Sequence, residues 1–135
     1  MSALFTVVNP PELGKPRGFA HGLMTPAGGR LLFVAGQIGT GEGAIVGSDA
    51  FTAQFERALA RVALVVRAAG GLPEHIVRMT VYVTSMDRYR DSRPSLRDVW
   101  RRHLGSHYPA MALVEVAALF DPNASVEIEA TAVLP

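Results

Sequence analysis

The sequence contains no cysteine and no long hydrophobic run. Without cysteine the chain cannot form a disulfide framework, a thiolate nucleophile or a cysteine-based zinc or iron–sulfur site. No apolar stretch approaches the roughly 20 residues that a transmembrane helix needs, and the N-terminus lacks the basic and apolar regions of a signal peptide. These absences predict a cytoplasmic protein with no membrane partner.

Charge of either sign is also sparse. Charged residues make up 19% of the chain and the formal net charge is +1, whereas soluble domains average roughly 25% charged residues. So small a net charge supplies no long-range field for a polyanion, and a nucleic-acid partner is not expected. The low charge content favours self-association. With 49% hydrophobic residues, the whole chain, 1–135, is predicted to form one domain.

The residues that are present alternate between strand-like and helix-like segments. The order is strand, strand, strand, helix, strand, helix, strand, strand. The predicted strands are LFTVV, FAHGLMT, RLLFVAGQI, VRMTVYVTS, AMALVEVAAL and SVEIEATAV, with the second and third as hairpin partners across PAGG. The segment GQIGTGEG lacks the lysine or the following helix of a phosphate-binding loop and is predicted to be a turn. Two helices on one face of a mixed six-stranded sheet make an α+β two-layer sandwich.

Two apolar stripes at helical spacing define the helices. The first helix is capped by Ser48 or Asp49 and ends at Gly70, and the second covers PSLRDVWRRHL with Pro94 in its first turn. The stripes are predicted to be buried, and they consist of Phe51, Phe55, Leu59, Val62 and Val66 in the first helix and of Leu96, Val99, Trp100 and Leu104 in the second.

Alternation sorts the side chains of the last two strands into two faces. One face is small and apolar and suits the helices, and it carries Ala112, Val114, Val116 and Ala118 on one strand and Val126, Ile128, Ala130 and Ala132 on the next. The other is mixed, and it carries Met111, Leu113, Glu115 and Ala117 on one strand and Glu127, Glu129, Thr131 and Val133 on the next. Because neither helix covers it, this face predicts a homo-oligomer packed through its sheets. Its glutamates would be solvated, form interchain ion pairs or take part in chemistry.

Several motifs resemble the RidA/YjgF family of reactive intermediate deaminases, also known as endoribonuclease L-PSP or translation inhibitor. They are VAGQIG, RAAGG, VRMTVYVTSM and, above all, YPAMALVEVAAL followed by VEIEATAV. The resemblance runs from Phe19 to Val133 and implies a chorismate-mutase-like fold, a homotrimer with clefts between subunits, and no cofactor or metal. Typical members hydrolyse reactive enamines and imines, such as those derived from 2-aminoacrylate, to the keto acid and ammonia. An arginine after Pro-Ala grips the substrate carboxylate, and a glutamate on the last strand activates water.

The resemblance assigns roles to residues of this chain. Glu127 matches the catalytic glutamate, and Gly36 and Gln37 match the family's glycine-glutamine turn at the cleft. Arg17 is a candidate substitute cation, with a solvent-exposed loop arginine as the alternative. His21 should share the face of Phe19, either as a general acid or base or as an interface histidine.

Other matched positions depart from the family. Met111 stands where the arginine is expected, Leu113 where a cysteine or a small residue is usual, and Ala35 where a serine is usual. Phe19 lacks the hydroxyl group often found at its position. Losing one carboxylate clamp costs about 2–5 kcal/mol of substrate binding. These departures predict a drier cleft than the family pattern, with either a less anionic substrate than the usual small 2-imino acid or a cation supplied from another position.

An arginine-rich segment, DRYRDSRPSLRDVWRRH, places Arg93, Arg97 and Arg101 along one helix face. A solvated helix face is the interpretation we adopt, with an RNA-binding patch, or a cleft contribution from near Arg93, as the alternatives. Three functions stay open at this point. The first is a deaminase-type hydrolase with Glu127 orienting water, the second a non-catalytic metabolite-binding trimer, and the third an endoribonuclease or translation inhibitor.

Overall fold

The computed structural model describes residues 5–41 and 50–135 and confirms the α+β architecture and the order of its elements. The strands are β1 (Thr6–Val8), β2 (Gly22–Met24), β3 (Arg30–Ile38), β4 (Ile76–Val83), β5 (Ala110–Glu115) and β6 (Val126–Leu134), and the helices are α1 (Phe51–Ala68) and α2 (Met86–Leu104). The predicted caps Ser48 and Asp49 lie outside the described residues. Neither described helix has the length and apolarity needed to cross a membrane.

Four strands form the main sheet in the order β3-β6-β4-β5. Strands β4 and β5 are parallel, and the other neighbours are antiparallel. Strands β1 and β2 form a separate ribbon, which a bridge between Ala20 and Ala110 joins to the outer edge of β5. The predicted hairpin of the second and third strands was wrong. Strand β2 pairs with β1 instead, and the bridge from Ala20 to Ala110 holds this ribbon at the β5 edge of the sheet, the edge opposite β3.

Both helices pack on one face of the main sheet, and the predicted apolar stripes are confirmed as buried. Every stripe residue is at most 8% exposed. Each large apolar side chain buried in this way contributes about 1.5–3 kcal/mol to folding. A buried amide adds a specific connection, since Gln54 Nε2 donates to the carbonyl of Asn123 at 3.2 Å and its Oε1 accepts from the N–H of Ser125 at 2.8 Å.

Helix α2 begins well before the predicted first residue, so Pro94 lies inside the helix and not in its first turn. Two oxygen acceptors explain the earlier start. Ser85 Oγ accepts from the N–H of Arg88 at 3.2 Å, and Glu115 Oε1 accepts from the N–H of Met86 at 2.7 Å. These bonds satisfy amides that a helix N-terminus otherwise leaves without partners.

The faces of β5 are the reverse of those predicted. Met111 and Leu113 are in register with Met79 and Val81 of β4, which are buried, and they pack against the same core. Val114, expected among the helices, is 40% exposed on the other face. Alternation fixes which residues share a face but not which face meets the helices, and β5 has its own register at the sheet edge.

Candidate functional site

The face of the main sheet opposite the helices, here called the open face, is half apolar and half acidic. Leu31 is 64% exposed and Phe33 is 74% exposed on β3. Strand β6 contributes Glu127 and Glu129, whose neighbours along the strand, Ile128 among them, point into the core. The predicted mixed face is confirmed for β6. The homo-oligomer that such a face favours stays a prediction.

A β-bulge in β3 shapes the open face beside Glu127. Val34 pairs with Ala130 and Gln37 with Ile128, so that Ala35 and Gly36 together oppose one residue of β6. A Cβ atom on Gly36 would lie 2.7 Å from the Cδ and Oε2 atoms of Glu127, and a side chain there would displace the carboxyl group. Bulges of this kind commonly adjoin functional sites. Gln37 turns back along its own strand and donates to the carbonyl of Ala35 at 3.1 Å.

Glu127 is the one carboxylate of β5 and β6 that no hydrogen bond or ion pair holds within residues 5–41 and 50–135. Glu129 accepts from the hydroxyl group of Tyr82 at 3.0 Å, and Glu115 accepts from the N–H of Met86 at the start of α2. The Glu127 side chain is half-buried. Its oxygens are therefore available to a water molecule or to a ligand.

Tyr82 is a component of the open face that the sequence analysis missed. It lies opposite Glu127 in the antiparallel register of β4 and β6. The hydrogen bond to Glu129 raises the pKa of the Tyr82 phenol, and the nearby charge of Glu127 contributes in the same direction. The alternation of β4 contained the signal, because Met79, Val81 and Val83 are apolar while the intervening positions are polar or aromatic.

Replacing Glu129 with glutamine is expected to lower the pKa of Tyr82 toward the ordinary tyrosine value, because a neutral amide stabilises the phenol less than a carboxylate does. NMR of ¹³C-labelled tyrosine rings during an alkaline titration measures this change. Tyr89 is the internal control, since burial is the main cause of its raised pKa. An unchanged Tyr82 titration in Glu129→Gln would show that the hydrogen bond does not form in solution.

Within one chain, the predicted site residues around Phe19 lie away from Glu127. The rings of Phe19 and His21 meet edge to face with centroids 5.1 Å apart, and His21 Nε2 lies 3.3 Å from the carbonyl of Gly14. Arg17 is exposed and makes no hydrogen bond or ion pair within the described residues. The bridge at Ala20 places this segment three strand spacings from β6, or roughly 14 Å.

The predicted site residues therefore divide into three groups within one chain. Gly36 and its bulge adjoin Glu127 on the open face, and the segment of Phe19 lies beyond the edge of β5. Met111 and Leu113 face the core, on the other side of the sheet from Glu127. No group of three or more histidine, aspartate or glutamate side chains in the described part of the chain forms a metal site.

Comparisons with known proteins identify the family. The family model described as endoribonuclease L-PSP matches residues 19–134. A RutC family protein of Pyrococcus horikoshii is 32% identical over 108 residues, which cover 77% of this chain and 79% of that protein. The human 2-iminobutanoate/2-iminopropanoate deaminase is 29% identical over 107 residues, which cover 77% of this chain and 73% of that protein.

Solved structures agree with this assignment. The crystal structure of YyfB from Yersinia pestis, a Rid family protein of unknown function, superposes with a TM-score of 0.82 at 31% identity. The match covers 97% of this chain and 99% of that one. The chain therefore belongs to the endoribonuclease L-PSP family, which is the RidA/YjgF family that its motifs resemble.

Proposed function

We propose that this protein hydrolyses an enamine, an imine or a related small C–N substrate, with Glu127 orienting the attacking water. The observation that carries the proposal is the uncommitted Glu127 carboxylate beside Gly36 on the open face. The name of the human relative, an imine deaminase, supports the same reaction class.

The proposed reaction uses Glu127 as a proton carrier. The carboxylate accepts a proton from water while the water oxygen bonds to the C=N carbon. It then returns the proton to the nitrogen of the tetrahedral adduct. The hydroxyl proton of the adduct then moves to the same nitrogen, the C–N bond breaks, ammonia leaves, and a C=O group remains. A positioned carboxylate in this role contributes about 10²–10⁴-fold to the rate.

The charges of the open face favour a neutral or weakly polar imine over a small 2-imino acid. Glu127 and Glu129 repel a substrate carboxylate. Arg78 of β4 supplies one positive charge on this face against the two glutamates, and its Nη1 already donates to the carbonyls of Met79 at 2.5 Å and Ala110 at 3.4 Å. Position 111, where the family's clamp is expected, holds a methionine that packs against the core.

We also propose that the working form is a cytoplasmic homotrimer whose clefts adjoin the open face. Phe33 and Leu31 expose apolar surface that a second copy of the chain would bury. Arg17, which is exposed and separated from Glu127 in one chain, would then reach it from a neighbouring subunit. Exclusion of water by that contact strengthens the interactions around the carboxylate.

A matched pair of imines tests the proposal. A flavin amine oxidase acting on phenethylamine and an amino-acid oxidase acting on phenylalanine generate imines that differ only in the carboxylate. Ammonia release above the buffer rate is expected for the phenethylamine product, at a kcat/KM several-fold higher than for the phenylalanine product. A preference for the carboxylate-bearing imine would contradict the proposed substrate class and would require a carboxylate clamp.

The alternative functions predict other results in this assay. A non-catalytic metabolite-binding trimer would bind a neutral carbonyl compound saturably and release no ammonia above the buffer rate. An endoribonuclease has no support from the open face, since Glu127 and Glu129 repel phosphate groups.

A further inference from the structure

A cavity of about 710 Å³ lies away from the open face, where the C-terminal ends of both helices meet the β1–β2 ribbon. Aromatic and basic side chains line much of its wall, and they include Phe5, Phe19, Tyr108, Arg67, Arg101 and His107. Glu127 is not among its lining residues. This volume lies within the range of small-molecule sites, about 300–1,000 Å³.

Two guanidinium groups in this cavity have no partner in the described part of the chain. Arg67 is in the last turn of α1 and Arg101 in the last turn of α2, and neither makes a hydrogen bond or an ion pair within residues 5–41 and 50–135. Arg102, by contrast, is bound to Glu56 at 2.7 Å and holds the pKa of that carboxyl below its usual value. Glu74 is the one carboxylate that lines the described cavity. The wall therefore has an excess of positive charge.

The aromatic part of the wall is held rigidly. The ring of Trp100 stacks on that of Tyr108 with centroids 5.7 Å apart and planes inclined by 8°. Trp100 Nε1 donates to the carbonyl of His107 at 3.0 Å, and His107 Nε2 lies 2.7 Å from the carbonyl of Ile76. These contacts hold the ring of Tyr108, which lines the same cavity as Arg67 and Arg101.

We propose that this cavity binds a small organic anion, a carboxylate attached to a flat apolar body. Arg67 and Arg101 bind the carboxylate, because a guanidinium group matches its two oxygens. The rings of Phe19 and Tyr108 contact the apolar part. Stabilisation of the helix C-termini accounts for basic residues in the last turns. That effect does not explain why Arg67 and Arg101 line one cavity together with aromatic rings.

The chain's single tryptophan provides a local reporter. The indole N–H resonance of Trp100 is followed by ¹H–¹⁵N NMR while 2-naphthoate is added to the full-length protein, and 2-naphthamide serves as the uncharged match. A saturable shift is expected with naphthoate, with binding of the amide weaker by about tenfold, the size of one charge-assisted hydrogen bond. Equal binding of the amide, or an indole resonance that does not shift, would overturn the proposal.

Variants of the wall test the individual charges. Arg67→Gln and Arg101→Gln are each expected to weaken naphthoate binding about fivefold, and Glu74→Gln to strengthen it about twofold, as exposed charge pairs do. Arg97→Gln is the matched control, because Arg97 is exposed on α2 outside the cavity wall. Unchanged binding in both arginine variants would refute the site. Glu127→Gln should leave naphthoate binding intact, which separates this inference from the proposed hydrolase.

Discussion

Replacing Glu127 with glutamine is expected to lower kcat/KM for hydrolysis of the phenethylamine-derived imine at least about a hundredfold. Glutamine keeps the shape that fits against Gly36 but cannot accept the proton of the attacking water. The loss should be mostly in kcat, since the proposed proton transfer belongs to the chemical step. Initial rates of ammonia release over a range of imine concentrations measure both parameters.

Two other glutamates are the controls for this substitution. Glu12 is exposed in the loop after β1, and Glu12→Gln should leave kcat/KM unchanged. Glu129 is held by Tyr82, so Glu129→Gln should change the rate far less than Glu127→Gln does. If Glu129→Gln abolished turnover and Glu127→Gln did not, the roles of the two carboxylates would have to be exchanged.

Replacing Gly39 with alanine is expected to lower the free energy of unfolding by about 3 kcal/mol, the upper part of the usual range for overpacking. A Cβ atom at this position would overlap the backbone carbonyl oxygen of Gln54 and lie 2.5 Å from its Cα. These atoms belong to the backbone of α1, which cannot move without separating that helix from β3. Urea unfolding followed by the fluorescence of Trp100 measures the change.

Gly22→Ala is the matched control for Gly39→Ala. A Cβ atom on Gly22 would lie 3.5 Å from the nearest atoms of Val8, which is an ordinary van der Waals contact. The free energy of unfolding of Gly22→Ala should stay within about 1 kcal/mol of the wild type. The entropy that a strand glycine loses on folding, relative to alanine, is no larger than this. A Gly39→Ala protein as stable as the Gly22→Ala protein would show that α1 packs less closely on β3 than described.

The helices and the inner face of β6 were predictable, because the spacing of their apolar residues identifies a single face that can be buried. The errors have a common physical origin in contacts between segments distant in sequence. The start of α2 depends on an oxygen from Glu115, and the position of β2 depends on the bridge between Ala20 and Ala110. The orientation of β5 depends on its parallel register with β4. None of these contacts produces a pattern that is visible in a short stretch of the sequence.

The candidate site was predictable to a smaller extent. The family resemblance selected Glu127 and Gly36, but their contact depends on a bulge that sequence periodicity does not reveal. Tyr82 was missed even though alternation in β4 indicates its face. The cavity at the helix ends was out of reach, because Arg67 and Arg101 belong to helices that meet only in the folded chain.

The most direct measurement is the rate of ammonia release from the phenethylamine-derived imine by the wild type and by Glu127→Gln, side by side with buffer. The wild type should exceed the buffer rate clearly, and the variant should fall close to that rate. Equal acceleration by both proteins, or no acceleration by the wild type, would contradict the role of Glu127 as the water-orienting residue of the open face.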